Sequence, residues 1–297
     1  MDSDKACGPD GISPGVFKSL PMNWVMFITA LFNAVFTSAT YPVNWSTAKF
    51  FTIFKKGNRQ MVRHYRGIPV LNSITKLYDS VLCTRLQSWF TPYREQAGSQ
   101  KGRGCLEHIV TLRLLTDFAK KKKCKLFVTF VDFAQAYDLV PRQILFKILQ
   151  RLGCGGVMLA AIIAMYRITD SILGTVVIPA TIGVHQGSPT SCLLFILYVN
   201  DFIKLVKESC APDGFLSWLH LLVMMDGTVL LATSRENMIR KIEVLKDFCT
   251  NYGMKINQSK TKFFVICGSL CDRESLRLDG LVMELCKHCV FRFPIYV

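Results

Sequence analysis

Leu126-Phe127-Val128-Thr129-Phe130-Val131-Asp132, entered from Lys125, is an almost unbroken apolar run that ends on a carboxylate. A run of this kind without polar alternation reads as a strand buried on both faces, with Asp132 delivered at its C-terminal end. Further along, residues 218–232 hold two more apolar strands that meet at Asp226-Gly227, a dipeptide favoured in two-residue hairpin turns. Around these strands the apolar residues recur at helical spacing. Helices are predicted over 71–90, 107–121, 141–152, 189–207 and 236–252, the last stopped by Gly253. Residues 172–184 read as a β-hairpin around Pro179-Ala180, and 262–267 as the last strand. Strands far apart in sequence, each presenting an aspartate, lie among helices. The fold class this implies is α+β, a sheet backed by helices and not a doubly wound parallel sheet.

The composition fits a large packed chain. Of 297 residues, 51% are hydrophobic and 19% charged, which excludes a disordered or low-complexity protein. Lys and Arg number 36 against 21 Asp and Glu, a formal net charge of +15. On an apolar-rich chain that excess points to a polyanionic partner, nucleic acid before anionic membrane. The start Met1-Asp2-Ser3-Asp4 lacks the basic region of a signal peptide. The two most apolar windows, 20–36 and 215–232, are interrupted by Pro21, Asn23 and Asn33 and by His220 and Asp226. Both read as core elements, with no membrane partner expected. An intracellular location, nuclear or cytoplasmic, follows, with twelve reduced cysteines. Cys267, Cys271, Cys286 and Cys289, with His288, have spacing that resembles a zinc ribbon, but the first pair falls at a strand end without knuckle glycines.

Carboxylates at strand ends on one sheet can hold Mg²⁺ between themselves and substrate phosphates. Two such ions would clamp the attacking and leaving oxygens of a phosphoryl transfer. Each carboxylate also has a plain structural alternative: Asp138 can cap the turn before Pro141, and Asp226 can be an ordinary turn residue. The lysines at 120–123 complement a helix C-terminus, and Lys255, Lys260 and Lys262 read equally as a solvated basic edge.

The motifs decide between these readings. Phe130-Val131-Asp132-Phe133-Ala134-Gln135-Ala136-Tyr137-Asp138, Gly183-Val184-His185-Gln186-Gly187-Ser188-Pro189-Thr190-Ser191, and Met224-Met225-Asp226-Gly227 through Ala232 resemble three successive palm motifs of the reverse transcriptases of non-LTR (LINE-like) retrotransposons. Gly253-Met254-Lys255-Ile256-Asn257 through Lys262 resembles the next. Lys5 to Ile12, Phe54-Lys55-Lys56-Gly57 to Ile68, and Gly98 to Gly104 resemble the upstream motifs. The resemblance covers residues 5–290 and keeps the family's motif order.

It implies a right-hand polymerase fold with an antiparallel palm sheet. Residues 1–124 would be mainly fingers, 125–267 mainly palm with interleaved fingers elements, and 268–297 a truncated or divergent segment with the thumb largely absent. Asp132, Asp226 and the Phe133 carbonyl would hold two Mg²⁺ ions, and Lys260 would protonate the leaving pyrophosphate. Tyr137 would gate against a 2′-hydroxyl. Arg66 and Lys56 would reach the triphosphate, and Gln186 and Gly187 would line the nucleotide pocket. The implied partners are an RNA template, a DNA primer and a dNTP.

Departures from the family pattern qualify this. The second aspartate of the palm hairpin is Gly227, its aromatic and alanine are Met224 and Met225, and His185 replaces a basic residue before Gln186. Gly227 removes one charge and up to two oxygen ligands, so the expectation is a folded polymerase core with impaired nucleotidyl transfer. The alternative is a non-catalytic nucleic-acid-binding remnant of the same fold.

Overall fold

Seventeen helices and strands of regular length organise the computed structural model, which describes residues 7–278 and 280–286. In chain order they are α1 (Met22–Ser38), β1 (Thr47–Phe54), β2 (Tyr65–Leu71), α2 (Ser73–Trp89), α3 (Cys105–Lys122), β3 (Leu126–Asp132), α4 (Arg142–Arg151), α5 (Gly156–Arg167), β4 (Asp170–Leu173), β5 (Val176–Pro179), α6 (Pro189–Ser209), β6 (Leu221–Met224), β7 (Gly227–Ala232), α7 (Arg235–Tyr252), β8 (Lys262–Ile266), β9 (Leu276–Leu278) and β10 (Leu281–Leu285). The α+β class and the helical spans agree with the sequence reading to within a few residues.

The chain divides into two units, each built from two stretches of sequence. The first comprises Met1–Thr91 with Val140–Leu194, the second Pro92–Leu139 with Phe195–Val297. The first unit holds a four-stranded sheet of order β2-β1-β4-β5. Strands β1 and β2 form a long antiparallel hairpin, and β4 joins β1 in parallel. The turn of the β4–β5 hairpin lies at Gly174-Thr175, not at Pro179-Ala180 as the sequence suggested. Gly174 has φ +61° and supplies the left-handed residue of that turn.

The second unit holds a six-stranded sheet of order β6-β7-β3-β8-β10-β9. Its centre is β3, buried along its length as the apolar run requires. Alternate residues face opposite layers. Leu126, Val128 and Phe130 join Leu112 and Ala119 of α3 and Val229 and Leu231 of β7 in one apolar cluster. Thr129 on the other face meets Met238 of α7, Oγ1 to Sδ 3.1 Å. Strand β8 is not the last one: β10 pairs with it in parallel and β9 lies beyond.

Two apolar windows behave differently. Of residues 215–232, the segments 220–223 and 228–232 are core, while Trp218 is exposed. Helix α1 is not core: only Phe32 and Val35 are buried, whereas Trp24, Met26 and Phe27 are exposed. Among the described residues α6 is the one helix long and apolar enough to cross a membrane, and 78% of that stretch is buried inside the protein. Cys267 and Cys271 are free and exposed, while His288 and Cys289 of the candidate zinc set lie outside the described residues.

Candidate active site

Asp132 ends β3 directly opposite Gly227, the first residue of β7. Directly paired residues of antiparallel strands place their side chains on one face, with Cβ atoms about 4.5–5.5 Å apart. The hairpin turn therefore consists of Met225 and Asp226, since Met224 pairs with Gly227. This corrects the expectation of an Asp226-Gly227 turn by one residue. Met225 takes φ +58°, the left-handed conformation that a first turn position of this hairpin class demands and that glycine fills most easily. Strained backbone of this kind in a non-glycine residue clusters at functional sites. Asp226 follows Met225 at the tip, half-buried and with partners of its own.

Gly227 needs no glycine for its own sake. Its φ lies outside the left-handed region, and a Cβ built there would meet only the Met224 carbonyl oxygen at 3.4 Å. A side chain at 227 would share the face of Asp132.

The segment after α7 completes this end of the sheet. Ile256 bridges Phe133, flanked by bonds from the Asn257 N–H to the Asp132 carbonyl at 2.8 Å and from the Ala134 N–H to the Lys255 carbonyl at 2.8 Å. In such a bridge the Phe133 carbonyl points away from Ile256. The Asp132 carboxylate accepts from Asn257 Nδ2 at 3.1 Å and lies 3.4 Å from Lys260 Nζ. The Asp132 N–H donates to Thr261 Oγ1 at 3.2 Å. Lys260 is exposed, so its ammonium sits over the carboxylate from the solvent side. Tyr137 stacks on Phe195 with ring centroids 4.6 Å apart.

Thus Asp132, Phe133, Asp226 and Lys260 converge at one end of one sheet, with Tyr137 in the same unit. The other predicted residues belong to the first unit. Lys56 is exposed in the β1–β2 loop. Arg66 stands in β2 opposite Ile53, and its side chain lies outside the described residues. Gln186 and Gly187 precede α6; Gly187 has φ +88°, which glycine alone adopts freely.

The loop that carries Gln186 and Gly187 is held by residues the sequence did not single out. Arg142 donates to the carbonyls of Gly183 (2.9 Å), Tyr166 (3.0 Å) and Ile182 (3.3 Å) and to Thr169 Oγ1 (3.0 Å). His185 lies against the Tyr166 ring at 4.6 Å; burial and the Arg142 guanidinium push its pKa down to about 4, so it is neutral where the family pattern has a cation. Below the loop, buried Asp79 of α2 accepts from the hydroxyls of Ser188 and Thr190 at the start of α6. Arg142 follows the helix-opening Pro141, and Asp79 sits on an apolar helix face; a charge at such positions was the available signal.

The donor set can be weighed against a divalent cation. Mg²⁺ is bound through one or two carboxylates plus substrate phosphates. Asp132 and Asp226, with the Phe133 carbonyl, are oxygen donors of the kind that would hold such an ion at this end of the sheet. Among the described residues no group of three or more His, Cys, Asp or Glu side chains is placed to hold a metal. A second ion would need a further carboxylate, and Gly227 stands where one would share the face of Asp132.

Comparison with known proteins agrees with this architecture. Residues 53–284 match the family model described as reverse transcriptase (RNA-dependent DNA polymerase). The chain is 26% identical over 276 residues to the "Probable RNA-directed DNA polymerase from transposon BS" of Drosophila melanogaster, covering 86% of this chain and 30% of that protein. It is 22% identical to the retrovirus-related Pol polyprotein of the type-2 retrotransposable element R2DM of the same organism, covering 85% of this chain and 24% of the relative. It therefore spans under a third of the length of these relatives. A structure of telomerase from Candida albicans, in complex with a fragment of telomeric RNA, superposes with a TM-score of 0.55 at 13% identity, over 86% of this chain and 48% of that one. Apo telomerase from Candida tropicalis gives 0.51 at 14% identity, over 88% and 58%. Reverse transcriptases use a divalent metal ion. Family match and polymerase fold agree, and the chain belongs to the reverse transcriptase (RNA-dependent DNA polymerase) family.

Proposed function

We propose that this chain is the template-copying core of an RNA-directed DNA polymerase whose nucleotidyl transfer is crippled by Gly227. The observation that carries this reading is the strand register: Gly227 is paired with Asp132, so a carboxylate at 227 would face the same site as Asp132 and Asp226. The substrates are an RNA template, a DNA primer and a dNTP. Asp132 and Asp226 are the ligands that would hold Mg²⁺ against the triphosphate. When bound, the cation offsets charge on the transferring phosphoryl group.

The protein's own residues do the rest. Asn257 orients the Asp132 carboxylate, and the Thr261 hydroxyl receives its backbone N–H. Lys260, beside Asp132, carries an ammonium proton that can pass to the leaving pyrophosphate. Without an incoming phosphate the same ammonium partly neutralises Asp132. Tyr137, braced flat on Phe195, is a rigid wall against the sugar. The motif resemblance assigns Arg66 and Lys56 to the triphosphate and Gln186 and Gly187 to the nucleotide pocket.

Primer extension on an RNA template with Mg²⁺ or Mn²⁺ tests the reading, run on this chain beside Gly227→Asp. The variant backbone tolerates the side chain, so it should fold unchanged. One electrostatic contributor at such a site is worth about 10²–10³ in rate. The Asp variant should extend faster by that factor. Equal rates for both proteins would show that position 227 is not part of the site. The high positive charge favours a second reading, a non-catalytic nucleic-acid binder. In that case salt-dependent RNA binding is present and Gly227→Asp gains no extension.

A further inference from the structure

We infer that Gln96 is a positioning residue that sets the conformation of the catalytic hairpin turn, acting through the Met225 backbone. The inference rests on the reading of that hairpin as a nucleotidyl-transfer site, but its geometry stands apart from it. Residues 93–98 form a strap along the free edge of β6. The Val223 N–H donates to the Glu95 carbonyl at 2.8 Å, and the Ala97 N–H donates to the Val223 carbonyl at 2.9 Å, a parallel bridge between Gln96 and Val223. These backbone bonds fix the strap two residues short of the turn.

The side chain of Gln96 covers the remaining distance. It is fully buried. Its Oε1 accepts the Met225 N–H at 3.1 Å and the Gly98 N–H at 2.8 Å. Two converging N–H donors require an oxygen, so the amide orientation is determined. Its Nε2 has no hydrogen-bond partner, so the residue's polar role is carried by the oxygen alone. The turn it meets holds Met225 at φ +58°, and a non-glycine residue stays there only when its surroundings over-determine it.

Two further features aim the strap at this turn. A Cβ on Gly98 would fall 2.6 Å from the Met225 nitrogen, so the strap backbone lies directly against the turn. Arg103 locks the strap from behind, donating to the carbonyls of Gln96 (2.9 Å) and Arg94 (2.9 Å) while paired with Glu107. Gln96 thus reaches the carboxylate of Asp226 by fixing the residue before it.

The test separates this role from ordinary core packing. Gln96→Met keeps the side-chain length and all the strap's backbone bonds but removes the acceptor. Gln96→Glu keeps an acceptor oxygen and loses no bond, because Nε2 makes none. Hydrogen exchange of backbone amides is read on the whole chain. In Gln96→Met the Met225 amide should exchange about tenfold faster, the β3–β8 amides should not change, and Gln96→Glu should restore the original rate. In the Gly227→Asp background, Gln96→Met should lower kcat for primer extension by about tenfold with template–primer Kd unchanged, again restored by Gln96→Glu. Unchanged exchange at Met225, or a uniform acceleration across the sheet, overturns the inference. If Gly227→Asp extends no primer, the polymerase reading fails and the exchange measurement still decides the role of Gln96.

Discussion

Gly227 and Asp79 illustrate how single residues in this chain carry consequences that their types alone do not announce. Gly227 reads as a turn glycine but sits in a strand, with an ordinary φ and room for a side chain, so its effect is chemical and not conformational. Asp79 reads as a polar residue on a helix but is fully buried against Ser188 and Thr190. Burial penalises its charged form, and although the two hydroxyls and the Thr190 N–H oppose that, its pKa is pushed up to about 6 from 3.8. An acid whose folded pKa is raised binds its proton more tightly in the folded state. The stability this contributes is fully present below the unfolded pKa and is lost as pH rises through the folded one. Urea unfolding of the chain and of Asp79→Asn across about pH 3.5 to 7.5 should show it. The stability of the chain relative to the non-titrating Asn variant should fall by on the order of 3 kcal/mol through this window and level off above it. A difference independent of pH would mean that Asp79 titrates normally.

Elements were legible from sequence to the extent that one signal dominated. The β3 run, the long helices and the β6–β7 strands were read correctly because burial on both faces, or helical periodicity over several turns, leaves little choice. The misreadings share a cause. At both hairpins the local dipeptide points to one turn position while pairing with a third strand fixes the register at another: β3 pins Gly227 opposite Asp132, and β1 pins β4. Strand β9, three residues long, is too short to carry a periodic signal, whereas β10 alternates buried and exposed residues that the sequence reading left unassigned. Helix α1 was read as core from apolarity alone, which cannot tell a buried face from an exposed one. Of the site, Asp132, Asp226 and Lys260 were found through motif resemblance, and the strap through Gly98 only as a motif. Its contact with the hairpin is tertiary and invisible in sequence. That contact makes a prediction at this scale. Gly98→Ala puts a Cβ 2.6 Å from the Met225 nitrogen and equally close to its Sδ, so strap and turn must separate. Overpacking of this kind costs about 1–3 kcal/mol. Denaturant unfolding should show that loss in Gly98→Ala, while Gly104→Ala, where a Cβ meets nothing, should stay close to the parent.

At the scale of the whole molecule the net charge of +15 is the property that a polymerase core needs before any chemistry begins. Neutralising phosphates releases condensed counterions, and log K for a single strand falls with log salt by about 0.7 per phosphate contacted. Not every lysine takes part. Lys55 and Lys56 stand at the β1–β2 loop, exposed and next to the motif that resembles a triphosphate-binding segment. Lys120 and Lys121 are equally exposed, but they close the last turn of α3, where a cation complements the helix dipole. The two pairs carry the same charge, so replacing either with alanine changes the net charge equally. Fluorescence anisotropy with a single-stranded RNA, titrated over a range of salt, distinguishes site from bulk charge. Lys55→Ala with Lys56→Ala should flatten the salt slope by about 1.4, the value for two lost phosphate contacts. Lys120→Ala with Lys121→Ala should leave it unchanged. Equal flattening by both pairs would mean that RNA responds to the field of the whole chain and that the β1–β2 loop holds no phosphate of its own.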